Sequence, residues 1–448
     1  MRSVSGVRGI VGADLTLDVV RRHAAAYGAF VRARGGRRVG LGRDSRASGP
    51  ALYAAAADAL AEAGVEVVEL GMVPTPTAQL AVEDLALDGG IIVTASHNPI
   101  EWNALKFVGA GGRFLTRADA DALFAIADGA PVASRGARGG RSRDDGAIRR
   151  HLDHVLGLPW LDVAAIRARR FRVALDCVRG AGATIMPALF EALGCEVGAI
   201  NLEPDGAFPR EPEPIPEHLG ELSAFVRRSR ADIGIAVDPD VDRLAIVDET
   251  GRPIGEDYTL AFAVRAVLPH LRGAVVTNLS TSLVVDDAAR EFALAVERAP
   301  VGEANVVDRM LACGAAIGGE GNGGVILPAV HLGRDAPVAA ALSLALLART
   351  GLPVSGIVNG GPRYVIVKAK LDRPDGALDY VYDALRRRWP DASADAQDGL
   401  RLAWGDRWIH VRPSGTEPVV RVIAEAPTEA DAQGLVEDGR RTLRTMGA

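Results

Sequence analysis

Three aspartates, Asp238, Asp240 and Asp242, alternate within the five residues DPDVD, directly after the apolar run IGIAV. In an extended segment alternate residues point the same way, so this spacing aims three carboxylates at one place. Hard oxygen ligands of this kind suit Mg²⁺; without a cation they repel and raise one another's pKa. Two other readings compete. Asp238, Asp240, Asp242 and Glu249 match positions 1, 3, 5 and 12 of an EF-hand loop, but Arg243 stands where that loop needs glycine and both flanks read as strands. The plainer reading is a solvated acidic turn, because aspartate is common in loops.

Three more loops carry polar chemistry. TASHNP follows the apolar run GGIIV and places Ser96 at the end of a buried strand. His97 is next to it, and adjacent side chains in an extended segment diverge, so a protease-like pair is not expected; no GxSxG turn surrounds the serine. Lys106 follows ten residues on. Lysine occurs only at 106, 368 and 370, against 51 lysines and arginines together, so 48 of the 51 are arginine. A lysine placed beside such a loop hints at a need for a compact ammonium. GGEGNGG offers Glu320 and Asn322, an acid and an amide suited to sugar hydroxyls. RPSGTEP offers Arg412, Ser414, Gly415 and Thr416, with Arg421 nearby, as an anion cradle. Arg8 lies in SGVRG near the N-terminus. Taken singly, each of these is also an ordinary turn or a surface residue. Together, a metal loop, a loop serine with a lysine, a sugar-type loop and a phosphate cradle describe phosphoryl transfer on a phosphosugar.

The elements that must hold these loops follow a βαβ rhythm. Strand-like runs (RRVGLGRD, VEVVELG, GGIIV) alternate with alanine-rich amphipathic runs such as ALYAAAADALAEAG, which Gly64 should end. Thr116 and Asp119 are placed for a capping box. Residues 134–146, rich in Arg, Gly and Ser, read as a linker, and so does GLPVSGIVNGGP. The rhythm restarts twice, and the last segment reads as strands and helices of an antiparallel α+β unit. The expected fold is α/β, with three successive α/β domains of mixed, mostly parallel sheets and a C-terminal α+β domain. The expected boundaries are 1–147, 148–253, 254–362 and 363–448. In such sheets ligands bind beyond the carboxyl ends of the strands, where TASHNP, DPDVDR and GGEGNGG all fall.

With 48% hydrophobic and 24% charged residues, the 448-residue chain is neither disordered nor a coiled coil. A net charge of −6 supplies no basic field for nucleic acid or anionic lipid. Cys177, Cys195 and Cys313 form no CxxC pair, which fits a reducing compartment. No apolar run reaches the roughly 18 residues of a membrane span, and PVAAALSLALLART reads as a buried helix. The first residues lack the apolar stretch of a signal peptide. A cytoplasmic protein, without nucleic-acid or membrane partners, is expected.

The order SGVRG, GRDSRASGP, TASHNP with NALKF, VALDCVRGAGA, PDGAFP, DPDVDR, VGEANVVDRM, GGEGNGG and RPSGTEP resembles the α-D-phosphohexomutases over essentially the whole chain. The resemblance implies four domains around a cleft and a phosphoryl group carried by Ser96. It implies that Asp238, Asp240 and Asp242, with Ser96, hold Mg²⁺, and that Arg8, Lys106 and His97 belong to the catalytic surroundings. Arg243, Glu303, Glu320 and Asn322 would face the sugar; Arg412, Ser414, Gly415, Thr416 and Arg421 would hold its distal phosphate. The implied reaction interconverts hexose 6- and 1-phosphates through a hexose 1,6-bisphosphate, with glucosamine 6-phosphate the first substrate and mannose or glucose phosphates the alternatives. A small-molecule phosphosugar is the expected partner, and the enzyme is expected as a monomer or homodimer. The chain departs from many members in having Asn322 and Gly324 where they have Ser and His; Glu303 is placed to compensate. A Mg²⁺-dependent sugar phosphatase and a non-catalytic sugar-phosphate sensor are the readings from other classes.

Overall fold

The computed structural model describes residues 1–4, 6–130, 137–374, 378–414 and 419–446. Four sheets follow one another along the chain. The first has seven strands, in spatial order Arg2–Ser3, Gly6–Ile10, Trp102–Gly109, Gly89–Val93, Arg38–Arg43, Glu66–Met72 and Arg141–Arg143. Its last four strands are parallel and its first three antiparallel. Gly89–Val93 is buried at every position because helices cover both faces. Ile91 and Val93 pack with helices Leu17–Ala33 and Gly49–Glu62, while Ile92 faces Ala78, Ala81 and Val82 of helix Thr75–Asp84.

The second sheet runs Leu244–Val247, Ile233–Val237, Arg172–Asp176, Glu196–Ile200, and the third Val296–Ala299, Val275–Asn278, Ile317–Glu320, Gly324–Ile326. Each is parallel apart from one antiparallel edge strand. These two sheets share one apolar core, joined through the buried helix Ala336–Thr350, the segment read from sequence as a buried helix. The fourth sheet, Val365–Asp372, Val419–Ala426, Trp408–Pro413, Leu400–Ala403 and Ser393–Asp395, is wholly antiparallel. Helices Asp379–Arg388 and Glu429–Met446 cover it. Among the described residues no helix is long and apolar enough to cross a membrane.

Local signals act as expected at several ends. Thr116 accepts from the Asp119 amide at the start of helix Arg117–Asp128, and Gly64 (φ 82°) follows helix Gly49–Glu62. Two linker readings are corrected in part, and residues 134–136 of the first lie outside the described residues. Arg141–Arg143 is a parallel edge strand beside Glu66–Met72; sheet hydrogen bonding uses only the backbone, so its charged side chains are no obstacle. Within GLPVSGIVNGGP, Val354–Asn359 forms a short helix that seats Val354 and Val358 in the shared core, and tertiary burial overrides the Gly and Pro flanks.

Candidate active site

The Ser96 loop is held from behind by one arginine. Arg46, fully buried in the loop after strand Arg38–Arg43, donates from Nη2 to the carbonyls of Ser96 (2.6 Å) and Asn98 (2.6 Å), and from Nη1 to those of Pro99 (2.7 Å) and Trp102 (2.9 Å). Its Nε donates to Asp44 at 3.1 Å, so all five N–H groups are used. Asp44 in turn accepts from Thr94 Oγ1, which accepts from the Ser96 amide. This frame holds Ser96 at φ 51°, a left-handed backbone that costs a non-glycine residue about 1–3 kcal/mol. The expected divergence of Ser96 and His97 assumed an extended backbone. With Ser96 left-handed, its Oγ lies 3.4 Å from His97 Nδ1, beyond a well-formed hydrogen bond. Arg8, on strand Gly6–Ile10, donates to Asn98 Oδ1 at 2.8 Å.

The aspartate loop leaves strand Ile233–Val237 and turns, with Val241 at φ 66°, into the antiparallel strand Leu244–Val247. The carboxylates converge through this turn and not through strand alternation: one oxygen of each lies within 4.8 Å of the others. All three residues are fully buried, which removes the solvated-turn reading, and the strand flanks remove the EF-hand. Ser96 Oγ donates to Asp238 Oδ2 at 2.9 Å. Asp238 Oδ1 accepts from the amides of Asp242 and Arg243. Asp240 Oδ2 accepts from Lys106 Nζ (2.7 Å) and Thr75 Oγ1 (2.6 Å); Lys106 Nζ is 3.8 Å from Asp242 Oδ2. The Oδ1 atoms of Asp240 and Asp242 are buried without a hydrogen-bond partner. Buried, unpartnered carboxylate oxygens in one cluster are costly as they stand and fit a hard divalent cation.

Electrostatics follow from this packing. Burial and the neighbouring carboxylates push Asp238 well above the usual carboxylate range. Burial acts the same way on Asp240, but the Lys106 ammonium and the hydrogen bonds from Lys106 and Thr75 outweigh it and hold Asp240 low. Burial would deprotonate Lys106, yet Asp240 and Asp242 outweigh it, and its pKa is raised. Burial lowers Arg8, and burial with Arg243 and Arg8 lowers His97 well below its ordinary value.

The sugar-type residues come from the third sheet. Glu320 ends strand Ile317–Glu320; its Oε1 accepts from Asn278 Nδ2 (2.9 Å) and the Gly302 amide (3.0 Å). Glu303 opens helix Glu303–Cys313 and borders a cavity of about 190 Å³ that also touches Phe114, Leu115 and Leu332. Asn322 Oδ1 accepts from the Gly324 amide at 3.2 Å, and Arg243 Nη1 donates to Glu213 at 2.9 Å. Arg334, which sequence reasoning missed, donates to Glu303 Oε2 (2.9 Å), Glu320 Oε2 (3.0 Å) and Asp242 Oδ2 (2.6 Å).

The C-terminal sheet carries the remaining candidates. Arg412 and Arg421 stand opposite one another in register, and Arg421 is also in register with Lys370. Directly paired residues share a sheet face, so three cations line up across three strands. Arg412 Nε donates to Asp398 Oδ2 (2.7 Å), which also accepts from the Val301 amide (3.1 Å), and the Ser414 amide donates to Val419 O. Gly415 and Thr416 lie outside the described residues. The structure thus gathers Ser96, Lys106 and the three aspartates into one buried cluster and ties Glu303 and Glu320 to it through Arg334. Arg46, Thr75 and Lys370 were missed along with Arg334. GRDSRASGP and the scarcity of lysine were the available signals for Arg46 and Lys370.

Four family models match in succession: phosphoglucomutase/phosphomannomutase α/β/α domain I over residues 2–131, domain II over 149–251, domain III over 255–364 and the C-terminal domain over 368–442. The chain is 37% identical over 439 residues to a probable phosphoglucosamine mutase of Methanopyrus kandleri, covering 97% of this chain and 95% of that one. It is 35% identical to a phosphoglucomutase/phosphomannomutase of Thermococcus kodakarensis, covering 98% and 97%. A crystal structure of a phosphoglucomutase/phosphomannomutase family protein from Burkholderia thailandensis superposes with a TM-score of 0.85 at 30% identity, covering 99% and 98%. Four consecutive domain matches and a serine beside buried carboxylates agree with one another: the chain belongs to the α-D-phosphohexomutases and is a phosphohexomutase.

Proposed function

We propose that this phosphohexomutase works through a phosphorylated Ser96 and converts glucosamine 6-phosphate to glucosamine 1-phosphate. The observation that carries the reading is the Ser96 hydroxyl donating to Asp238 at 2.9 Å, beside two buried aspartate oxygens that have no partner. Asp238, Asp240 and Asp242, with an oxygen of the Ser96 phosphate, would hold Mg²⁺, which supplies charge neutralisation of the transferring phosphoryl group. Phosphoserine brings about −1.5 to −2, so the cluster approaches −5 with its three carboxylates. Lys106, Arg8 and Arg243 return about +3, which leaves a deficit that a divalent ion fills.

The chain's own residues perform the rest. Arg46 fixes the loop so that Ser96 Oγ keeps one orientation through both transfers. A sugar hydroxyl oxygen forms the new bond to phosphorus as the P–Oγ bond breaks; its proton departs and Oγ regains one, with Lys106 Nζ as the proposed carrier. Most of the acceleration in such a transfer comes from in-line positioning and fixed charge. Arg412, Ser414, Gly415, Thr416 and Arg421 would hold the phosphate that is not reacting. The bisphosphate then turns over and returns its other phosphoryl group to Ser96. Glucosamine is placed first because the Methanopyrus kandleri relative is named a probable phosphoglucosamine mutase; Glu303 and Glu320, both ion-paired to Arg334, would face the sugar hydroxyls.

Incubation with glucosamine 6-phosphate, mannose 1-phosphate or glucose 1-phosphate, each with a trace of its bisphosphate, tests the reading. The expected outcome is isomer formation with the highest kcat/KM for glucosamine. A higher value for mannose or glucose would move the substrate to that sugar. Release of free phosphate without isomer would mark a phosphatase, and no turnover of any of the three would favour a sensor.

A further inference from the structure

Arg334 is nine-tenths buried and sits where three chain segments meet. Its three nitrogens each reach a different carboxylate: Nε to Glu303 on the first turn of helix Glu303–Cys313, Nη1 to Glu320 at the end of strand Ile317–Glu320, and Nη2 to Asp242 in the aspartate loop. Lysine could not do this, because only a guanidinium presents donors in a fixed planar fork. The separation of Glu303, Glu320 and Asp242 is therefore set by one rigid group.

Gly324 makes room for the fork. A Cβ at 324 would lie 2.3 Å from Arg334 Cδ and 2.9 Å from its Cγ. Gly324 is not among the residues with positive φ, so its backbone does not demand glycine; the demand comes from the arginine crossing over it. The arginine stem fills the space that a side chain at 324 would take.

We propose that Arg334 is a positioning residue for sugar recognition: it holds Glu303 and Glu320 as acceptors at a fixed distance from Asp242, and Gly324 leaves room for it to pass. The inference rests on Glu303 and Glu320 facing the sugar, as in the functional reading above. It makes two changes equivalent that look unrelated. Arg334→Met removes the fork. Gly324→Ala keeps the positive charge but displaces the stem that carries it.

The test compares calorimetric binding of glucosamine 6-phosphate and of inorganic phosphate to the unphosphorylated protein and to Arg334→Met, Arg334→Lys and Gly324→Ala. The expected result is a tenfold or greater loss of sugar-phosphate affinity in Arg334→Met and Gly324→Ala, a smaller loss in Arg334→Lys, and inorganic phosphate binding within twofold of the parent. In turnover the loss should fall on KM more than on kcat. Parental sugar-phosphate affinity in either Arg334→Met or Gly324→Ala overturns the proposal. So does an equal loss of inorganic phosphate binding, which would mean general disruption. If the parent itself binds the sugar phosphate but forms no isomer, the phosphoserine reading fails while the Arg334 comparison still stands on binding alone.

Discussion

Around Ser96, charges of opposite sign are interleaved in the dark of the protein: Lys106 between Asp240 and Asp242, Arg334 between Asp242, Glu303 and Glu320, and Arg46 against Asp44. On the C-terminal sheet like charges stand together, with Asp398 paired to Arg412. Lys370, Arg421 and Arg412 stand in register on neighbouring strands, only partly buried or exposed, and like charges set directly opposite destabilise a sheet. The first region has bound its own charges to one another around two unpartnered aspartate oxygens. The second presents a row of cations on one sheet face. A phosphohexomutase must do chemistry at one phosphate and anchor the other, and under the proposed function the two regions would divide along that line. The buried network would then fix geometry, whereas the cationic row would supply attraction that tolerates either orientation of the sugar.

The sharpest break between the regions is chemical. Ser96→Ala should lower isomerisation by three orders of magnitude or more, about 4 kcal/mol at 1.36 kcal/mol per tenfold, and should abolish label transfer from ³²P-bisphosphate to the protein. The same variant should bind inorganic phosphate like the parent, because that phosphate belongs to the other region. Residual turnover above a few per cent would remove Ser96 from the chemistry.

The next effect concerns stability. Lys106→Met leaves Asp240 buried with its Thr75 hydrogen bond but without its counter-charge. Breaking a buried pair on one side costs about 3–5 kcal/mol. Urea unfolding in the presence of a chelator should show that loss. The equivalent truncation on the half-exposed sheet, Lys370→Met, should change stability by less than about 1 kcal/mol. Equal losses would erase the distinction between a buried network and a surface row.

Arg412→Ala should act on binding and leave the aspartate cluster alone. Charge-assisted hydrogen bonds contribute about 1.5–3 kcal/mol, so affinity for glucose 6-phosphate should fall roughly 10- to 100-fold. Mn²⁺ binding, followed by calorimetry, should stay within twofold. A parallel loss of Mn²⁺ affinity would show that the two regions are not independent.

The sequence made the two regions visible to different degrees. Ser96 and the aspartates are local: each motif sits in one short loop at a strand end, and the strands announce themselves by apolar runs. Arg46 and Arg334 are not local. Arg46 serves carbonyls 50 and more residues away, and Arg334 serves carboxylates 14, 31 and 92 residues away. In a chain with 48 arginines, nothing in the composition marks those two. Lys370 had a compositional mark, being one of three lysines, but its alignment with Arg421 and Arg412 depends on strand register, which a single sequence leaves open. The turn at Val241 and the left-handed Ser96 were also out of reach, because neither residue type advertises positive φ.

A last and smaller effect tests how the cationic region is attached to the rest. His410, fully buried on strand Trp408–Pro413, has Nδ1 2.8 Å from Ser280 Oγ and Nε2 2.7 Å from the Asp398 carbonyl. A neutral ring with its proton on Nε2 satisfies both: it donates to the carbonyl and accepts from the serine hydroxyl. Burial is the largest influence on its pKa; the Asp398 carbonyl and carboxylate oppose it, Arg412 and Arg401 assist it, and the value falls to about 4. In the unfolded chain histidine titrates near 6.5. Between those values the unfolded state binds the extra proton and the folded state does not, so acid favours unfolding. Stability should therefore be intact above about pH 6.5, decline as pH falls toward 4, and gain no further dependence from His410 below that. The loss by pH 5 is on the order of 1–2 kcal/mol. Other groups titrate in the same range, so the measurement is a difference: chemical unfolding of the parent and of His410→Gln at pH 7 and pH 5. The variant should lose less stability than the parent on acidification, whatever its stability at pH 7. Equal losses would mean that His410 is protonated in the folded state, and that the strand carrying Arg412 is held to Ser280 by some contact other than this neutral ring.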